Sequence, residues 1–106
     1  MQVAFTFRQF DGNEDLKALI ESRVSRRLDH LVSGEAAEAR VTISTEKAWT
    51  TLEIHVAAWG EVIKAAEKTA TDLNPTIDLV IDKLERQLLR RKEIAKDRRL
   101  RARTEA

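Results

Sequence analysis

The chain has 106 residues, 42% of them hydrophobic and 35% charged, which fits one domain able to bury roughly two-thirds of its unfolded surface. With no cysteine it has no disulfide, no thiolate chemistry and no cysteine-held metal, and no apolar run approaches the roughly 18–20 residues of a membrane span. The formal net charge of +1 conceals a divided chain: residues 1–82 carry 9 basic and 14 acidic side chains, residues 83–106 carry 10 and 4. A mildly acidic body with a concentrated positive end suits a protein that holds a polyanion, although a solvated face has the same composition.

The first residues, MQVAFTFRQF, alternate apolar and polar instead of showing a basic head and an apolar stretch, so they read as a strand and not as a signal peptide. A cytoplasmic location is the default that follows. Val3, Phe5 and Phe7 fall on one side of this strand. Asp11, Gly12 and Asn13 break the pattern, and Asn13 caps a helix whose first turn holds Glu14 and Asp15. Leu16, Leu19, Ile20, Val24, Leu28 and Leu31 continue at helical spacing until Ser33 and Gly34. Arg27 misfits, because at 100° per residue it enters the apolar stripe. The sequence predicts an irregular last turn that rotates it away, with a snorkelling stem as the alternative.

Three strands follow. Residues 40–45 point Val41 and Ile43 inward, and residues 51–57 point Leu52, Ile54 and Val56 inward. Trp59, Gly60 and Glu61 form a hairpin turn into a fourth strand over residues 62–67, whose alternation leaves its register open. Thr42, Ser44, Glu53 and His55 make the outer face wet, which predicts an antiparallel sheet covered on one side. The second helix is capped by Asp72 or Asn74 and tolerates Pro75 in its first turn. Its stripe of Ile77, Val80, Ile81, Leu84 and Leu88 would continue into Arg91, Lys92, Ala95 and Arg98, so core contact must stop near residue 90. The predicted fold is α+β, a β-α-β-β-β-α two-layer sandwich with both helices on one face of a four-stranded sheet. Residues 1–90 form its single domain, and residues 91–106 are a basic helical extension or a tail.

The segment from Ile77 to Leu88, IDLVIDKLERQL, resembles the signature helix of the ribosome hibernation promoting factors and ribosome-associated inhibitors, historically also labelled sigma-54 modulation proteins. In that family an aspartate-led helix start runs into I-D-x-L-I-D-K-L-x-R-Q-L and then into lysines and arginines. The order of elements matches too, and the alignment runs from Met1 to about residue 95. The resemblance implies binding to ribosomal RNA of the small subunit in the decoding region, and silencing of translation under stress. It also implies a short form, without the C-terminal dimerisation domain of longer members; the oligomeric state stays open, with a monomer as the default. This chain departs from the pattern in three places. It lacks an aromatic residue near Asn74 and small helix formers near Pro75, its junction at residues 66–72 is about two residues longer, and Arg27 stands where an apolar residue is expected.

The residues expected to hold ribosomal RNA are Lys83, Arg86 and Arg90, which project within about 60° of one another away from the apolar stripe. Arg91 and Lys92 extend the line, with Lys96, Arg98, Arg99, Arg101 and Arg103 beyond them. Arginine suits the task because its planar fork pairs with phosphate and stacks on bases, whereas cations at a helix C-terminus also simply offset the macrodipole. Arg23, Arg26 and Arg27 form a second cluster on the first helix, which joins the first into one basic surface or else pairs with Glu21 and Asp29. Trp49 and Trp59 either stack on bases or cover sheet edges. His30 and His55 lack the partners of a metal site, so no metal and no cofactor is expected. No nucleophile–base set and no glycine-rich phosphate loop is present, since Gly12, Gly34 and Gly60 each mark a turn, and Asp78 and Asp82 read as surface charges. An enzyme, a membrane partner and a small-molecule substrate are therefore not expected. Two rival readings are a generic double-stranded-RNA module and a protein-interaction domain that docks an acidic partner. The first is disfavoured by Asp72 and Asp78 at the start of the second helix.

Overall fold

The computed structural model describes the backbone of residues 1–105, with side chains described through Arg98 and at Leu100. The elements run β1 (Gln2–Arg8), α1 (Glu14–Leu28), a 3₁₀ turn (Asp29–Val32), β2 (Glu38–Glu46), β3 (Trp49–Ala58), β4 (Glu61–Thr69) and α2 (Leu73–Glu105). The predicted order therefore holds. The four strands lie in the sheet in the order β1-β2-β3-β4. β2, β3 and β4 form an antiparallel meander, but β1 pairs parallel to β2, with Phe5 opposite Val41 and Phe7 opposite Ile43. The sheet is thus mixed where an antiparallel one was expected. The reason is α1, which carries the chain back along the sheet before β2 starts, so β1 and β2 must run the same way.

Both helices cover the same face. Ile20, Val24 and Leu28 of α1 and Ile77, Val80, Ile81, Leu84 and Leu88 of α2 are fully buried against Val41, Ile43, Leu52, Ile54 and Val56. β4 buries Ile63 and Ala65, which settles its register. At about 1.5–3 kcal/mol for each large apolar side chain removed from water, the five buried residues of α2 contribute on the order of 10 kcal/mol before the entropy of ordering is subtracted.

Local signals place the helices. Asn13 accepts from the Leu16 N–H at 2.8 Å, and Asp72, the first of the two candidate caps, accepts from the Asn74 N–H at 3.1 Å. Pro75 then falls in the first turn of α2, where it has no helical hydrogen bond to lose. The β3–β4 turn is Trp59-Gly60, with φ of 53° and 72°, the left-handed pair that matches the twist of a two-residue hairpin. The predicted irregular turn after α1 exists, but it begins at Asp29, so it buries Leu31 and Val32 and does not rotate Arg27.

α2 outruns the sheet. Its 33 residues span about 50 Å, close to the longest dimension of the molecule, 56 Å. Among the described residues, its last fully buried side chain is Leu88. The sequence left residues 91–106 as helix or tail, and residues 91–105 continue α2.

At the opposite edge, Phe7 stacks between Phe5 and Phe10, with ring centroids 6.1 and 5.9 Å apart. The Gly12 backbone lies against the Phe7 ring, and a Cβ there would fall 2.3 Å from Phe7 Cε2. Gly12→Ala forces the ring from its slot, and an overpacking cost of about 1–3 kcal/mol is expected. Thermal unfolding of the variant checks this, and an unchanged midpoint would show that the aromatic cluster gives way freely.

Candidate nucleic-acid interface

α2 presents four directions, and each has a different fate. The inner stripe is in the core. On the side of α1, Arg23 donates to Asn74 Oδ1 at 2.8 Å and approaches Asp78 at 3.4 Å. One turn further on, Arg27 donates to Asp82 at 2.6 Å and to Glu85 at 2.9 Å. The spacing explains the ladder: Arg23 and Arg27 are four residues apart on α1, Asp78 and Asp82 four apart on α2, and both pairs line one seam. The two carboxylates hold the Arg27 guanidinium proton more tightly than usual, first by accepting its hydrogen bond at Asp82 and then at Glu85. Arg27 thus neither snorkels nor turns away. It bridges the helices with its side chain one-third exposed, and Asp78 and Asp82 remain surface charges, as the sequence suggested, while also serving as interhelix partners.

On the side of β4, Lys83 pairs with Glu67, Gln87 donates to the Lys64 carbonyl at 3.0 Å, and Arg91 meets Glu61 at 3.0 Å. These three positions step by four residues along the sheet edge and end at the β3–β4 hairpin, where the sheet stops.

The outer ridge remains. Arg86 lies roughly 180° and Arg90 roughly 140° around the helix from the centre of the buried stripe. Both are exposed, as is Lys92. On α1, Arg26 lies about 160° from its own buried stripe and is exposed as well. Among the described residues, no carboxylate lies within ion-pair distance of Arg26, Arg86, Arg90 or Lys92. The eight residues singled out in the sequence thus divide in two: Arg23, Arg27, Lys83 and Arg91 are paired, and Arg26, Arg86, Arg90 and Lys92 are unpaired. The helix layer is not one continuous basic surface, because its seam sets two guanidiniums against three carboxylates. Lys96 and Arg98 are exposed further along α2, and the side chains of Arg99, Arg101 and Arg103 lie outside the described residues.

The other residues singled out in the sequence lie apart from the ridge. His30 is exposed, and His55 bonds Glu53 on the open sheet face. Among the described residues, no group of three His, Cys, Asp or Glu is placed to hold a metal, and no helix is long and apolar enough to cross a membrane. Trp59 packs on the core while its backbone N–H donates to Glu35 at 2.9 Å. Trp49 is the first residue of β3, at the strand's edge, and is exposed.

The architecture is that of a small α+β domain, a mixed-sheet β-α-β-β-β-α sandwich with a cationic ridge on a protruding helix. The family model for Sigma 54 modulation protein / S30EA ribosomal protein matches residues 3–96. The chain is 32% identical over 93 residues, 88% of its length and 84% of the relative's, to a ribosome hibernation promoting factor of Azotobacter vinelandii. Among solved structures it resembles the N-terminal domain of Protein Y from Thermus thermophilus, with a TM-score of 0.75, 26% identity, and coverage of 85% of this chain and 98% of that one. A ribosomal subunit interface protein from Coxiella burnetii shares the fold, with a TM-score of 0.74, 24% identity, and coverage of 88% and 99%. The chain belongs to the Sigma 54 modulation protein / S30EA ribosomal protein family.

The seam and the ridge respond differently to truncation. Arg27→Ala strands Asp82 and Glu85 beside each other and is expected to cost about 1 kcal/mol, near the upper end for a partly exposed pair. Arg26→Ala is expected to change stability by less than about 0.5 kcal/mol. Urea denaturation of the two variants measures the contrast, and equal losses would mean that the seam does not tie the helices together.

Proposed function

We propose that this protein is a non-catalytic ribosome hibernation factor. It binds the small ribosomal subunit near the decoding region, inhibits translation under stress and acts in the cytoplasm. The observation that carries the reading is the unpaired ridge of Arg86 and Arg90 on a helix whose other faces are occupied by the core, by α1 and by β4, with Lys92 unpaired further along on another face. A rigid rod with guanidiniums facing water meets phosphates without first breaking internal ion pairs, so its charge is available to a polyanion. Arg26 adds a second point of contact on α1. The paired residues Arg23, Arg27, Lys83 and Arg91 orient the ridge, and their remaining N–H groups reach ribosomal RNA only after the ridge has docked. Family membership, and the names ribosome hibernation promoting factor and ribosomal subunit interface protein borne by similar proteins, support the choice of polyanion.

One observation favours a second reading. Leu79 and Leu89 are exposed beside Arg86 and Arg90 on the same outer side of α2, and apolar residues between arginines also suit docking onto an acidic protein. The readings separate on treatment with ribonuclease, which removes an RNA partner and leaves a protein partner bound. A generic double-stranded-RNA module fits less well, because Asp72 caps α2 and repels phosphate at the end where such a module presents its helix.

Arg86→Glu/Arg90→Glu leaves every ion pair of the fold intact and is expected to weaken binding to purified small subunits at least tenfold at physiological salt. Each phosphate contact contributes roughly one unit to the slope of log affinity against log salt, so the double variant is expected to have a slope shallower by about two. Sucrose-gradient co-sedimentation over a salt series measures both. A double variant that remains bound like the parent would remove the ridge from the interface.

A further inference from the structure

The ridge leaves the opposite side of the sandwich unused. There the sheet is bare, and Ala4, Thr6, Thr42, Ser44 and Thr51 make a low floor under a hollow of about 590 Å³ that Glu38, Arg40 and Glu53 also line. Small and hydroxyl-bearing side chains keep the floor open, while one row across all four strands, Arg8, Ser44, Thr51 and Lys68, is cationic at both ends. The row is about 14 Å wide at the usual strand spacing. Trp49 stands at the end of this floor, 48% exposed, with the Lys68 ammonium 5.1 Å from its ring centroid. Lys47, in the turn just before it, has a φ of 57°, a left-handed conformation that a lysine rarely adopts. A second hollow of about 280 Å³ beside the indole is lined by Ser44, Glu46, Lys47, Thr51 and Lys68.

An indole that served the core would lie on it, as Trp59 does. Trp49 instead keeps about half of its surface in water between two lysines, which is how a flat π-surface and phosphate-binding charge are combined for unpaired nucleotides. Glu46, opposite Trp49 in the hairpin register, repels phosphate but accepts hydrogen bonds, which matches the exocyclic amino group of adenine, cytosine or guanine. We propose that Trp49 is a stacking platform for an unpaired, amino-bearing nucleobase of single-stranded RNA, with Lys47 and Lys68 at the flanking phosphates and Glu46 at the base edge. The choice of RNA as the polymer rests on the function proposed above, but the surface is separate. The ridge and the platform lie on opposite sides of the two layers, so the domain sits between two RNA elements instead of lying on one.

The test uses the full chain carrying Trp59→Phe, which leaves Trp49 as the sole indole. Single-stranded oligoadenylate is expected to quench its fluorescence, oligouridylate to do so more weakly, and inorganic polyphosphate to leave it nearly unchanged. In anisotropy measurements with labelled oligoadenylate, Trp49→Ala is expected to lose roughly tenfold or more in affinity and Trp49→Phe to lose less. The exposed position of Trp49 keeps the fold of these variants intact, which circular dichroism verifies. Equal quenching by polyphosphate, or unchanged affinity in Trp49→Ala, would overturn the platform. Failure of the ridge reads out elsewhere: Arg86→Glu/Arg90→Glu then stays on small subunits whether or not Trp49→Ala releases oligoadenylate.

Discussion

The seating of the α2 stripe on the sheet is the constraint from which the rest of the molecule follows. Ile77, Val80, Ile81, Leu84 and Leu88 occupy about one-third of the helix circumference, and their burial sets the rotation of α2 about its axis. Once that rotation is set, every other position on the helix has a destination. Positions 78, 82 and 85 turn to α1, positions 83, 87 and 91 to the edge of β4, and positions 86 and 90 to water. A helix rotated by one residue would put arginines against carboxylates of the wrong element and leave leucines outside.

Electrostatics then sort the basic residues by neighbourhood and not by number. The protein has charges of both signs in nearly equal amounts, so what matters for a polyanion is which cations lack a local counter-charge. Lys83 with Glu67 contributes little field at a distance because the pair is close to neutral, and Arg27 with its two carboxylates leaves a net negative charge, so neither adds positive field. Arg86 and Arg90 retain theirs. The paired residues tie helix to helix and helix to sheet, which holds the free ones on a rigid line, and a rigid donor loses less entropy on docking than a mobile one. The acidic body thus serves to neutralise one set of cations and to leave the other exposed.

Arg27 shows where reading along one chain runs out. Its place in the apolar stripe of α1 was visible, and so was the conflict, but the resolution depended on Asp82 and Glu85, more than fifty residues away. A complementary signal was present, since Arg23 and Arg27 share the four-residue step of Asp78 and Asp82. It becomes legible only when the two helices are known to be adjacent and in register. The parallel pairing of β1 was missed for a similar reason: alternation reports which face of a strand is buried and says nothing about its direction. Trp49 and Trp59 looked alike in sequence, and the turn geometry separated them. The left-handed pair at Trp59-Gly60 folds one indole toward the core, whereas the position of Trp49 at the start of β3 places the other on the open face.

By itself the sequence determined the order of the elements, the cap at Asn13, the inward faces of the first three strands, the end of the α2 stripe at Leu88 and the family to which its signature helix points. These are local properties, written in periodicity and turn chemistry, and each is settled within a few turns of chain. Only the tertiary structure decided which arginines are free, how β1 runs against β2, and that the bare sheet carries an exposed indole between lysines. Those depend on distances between segments far apart in the chain, and a side chain's charge becomes available or spent only when its neighbours in space are known.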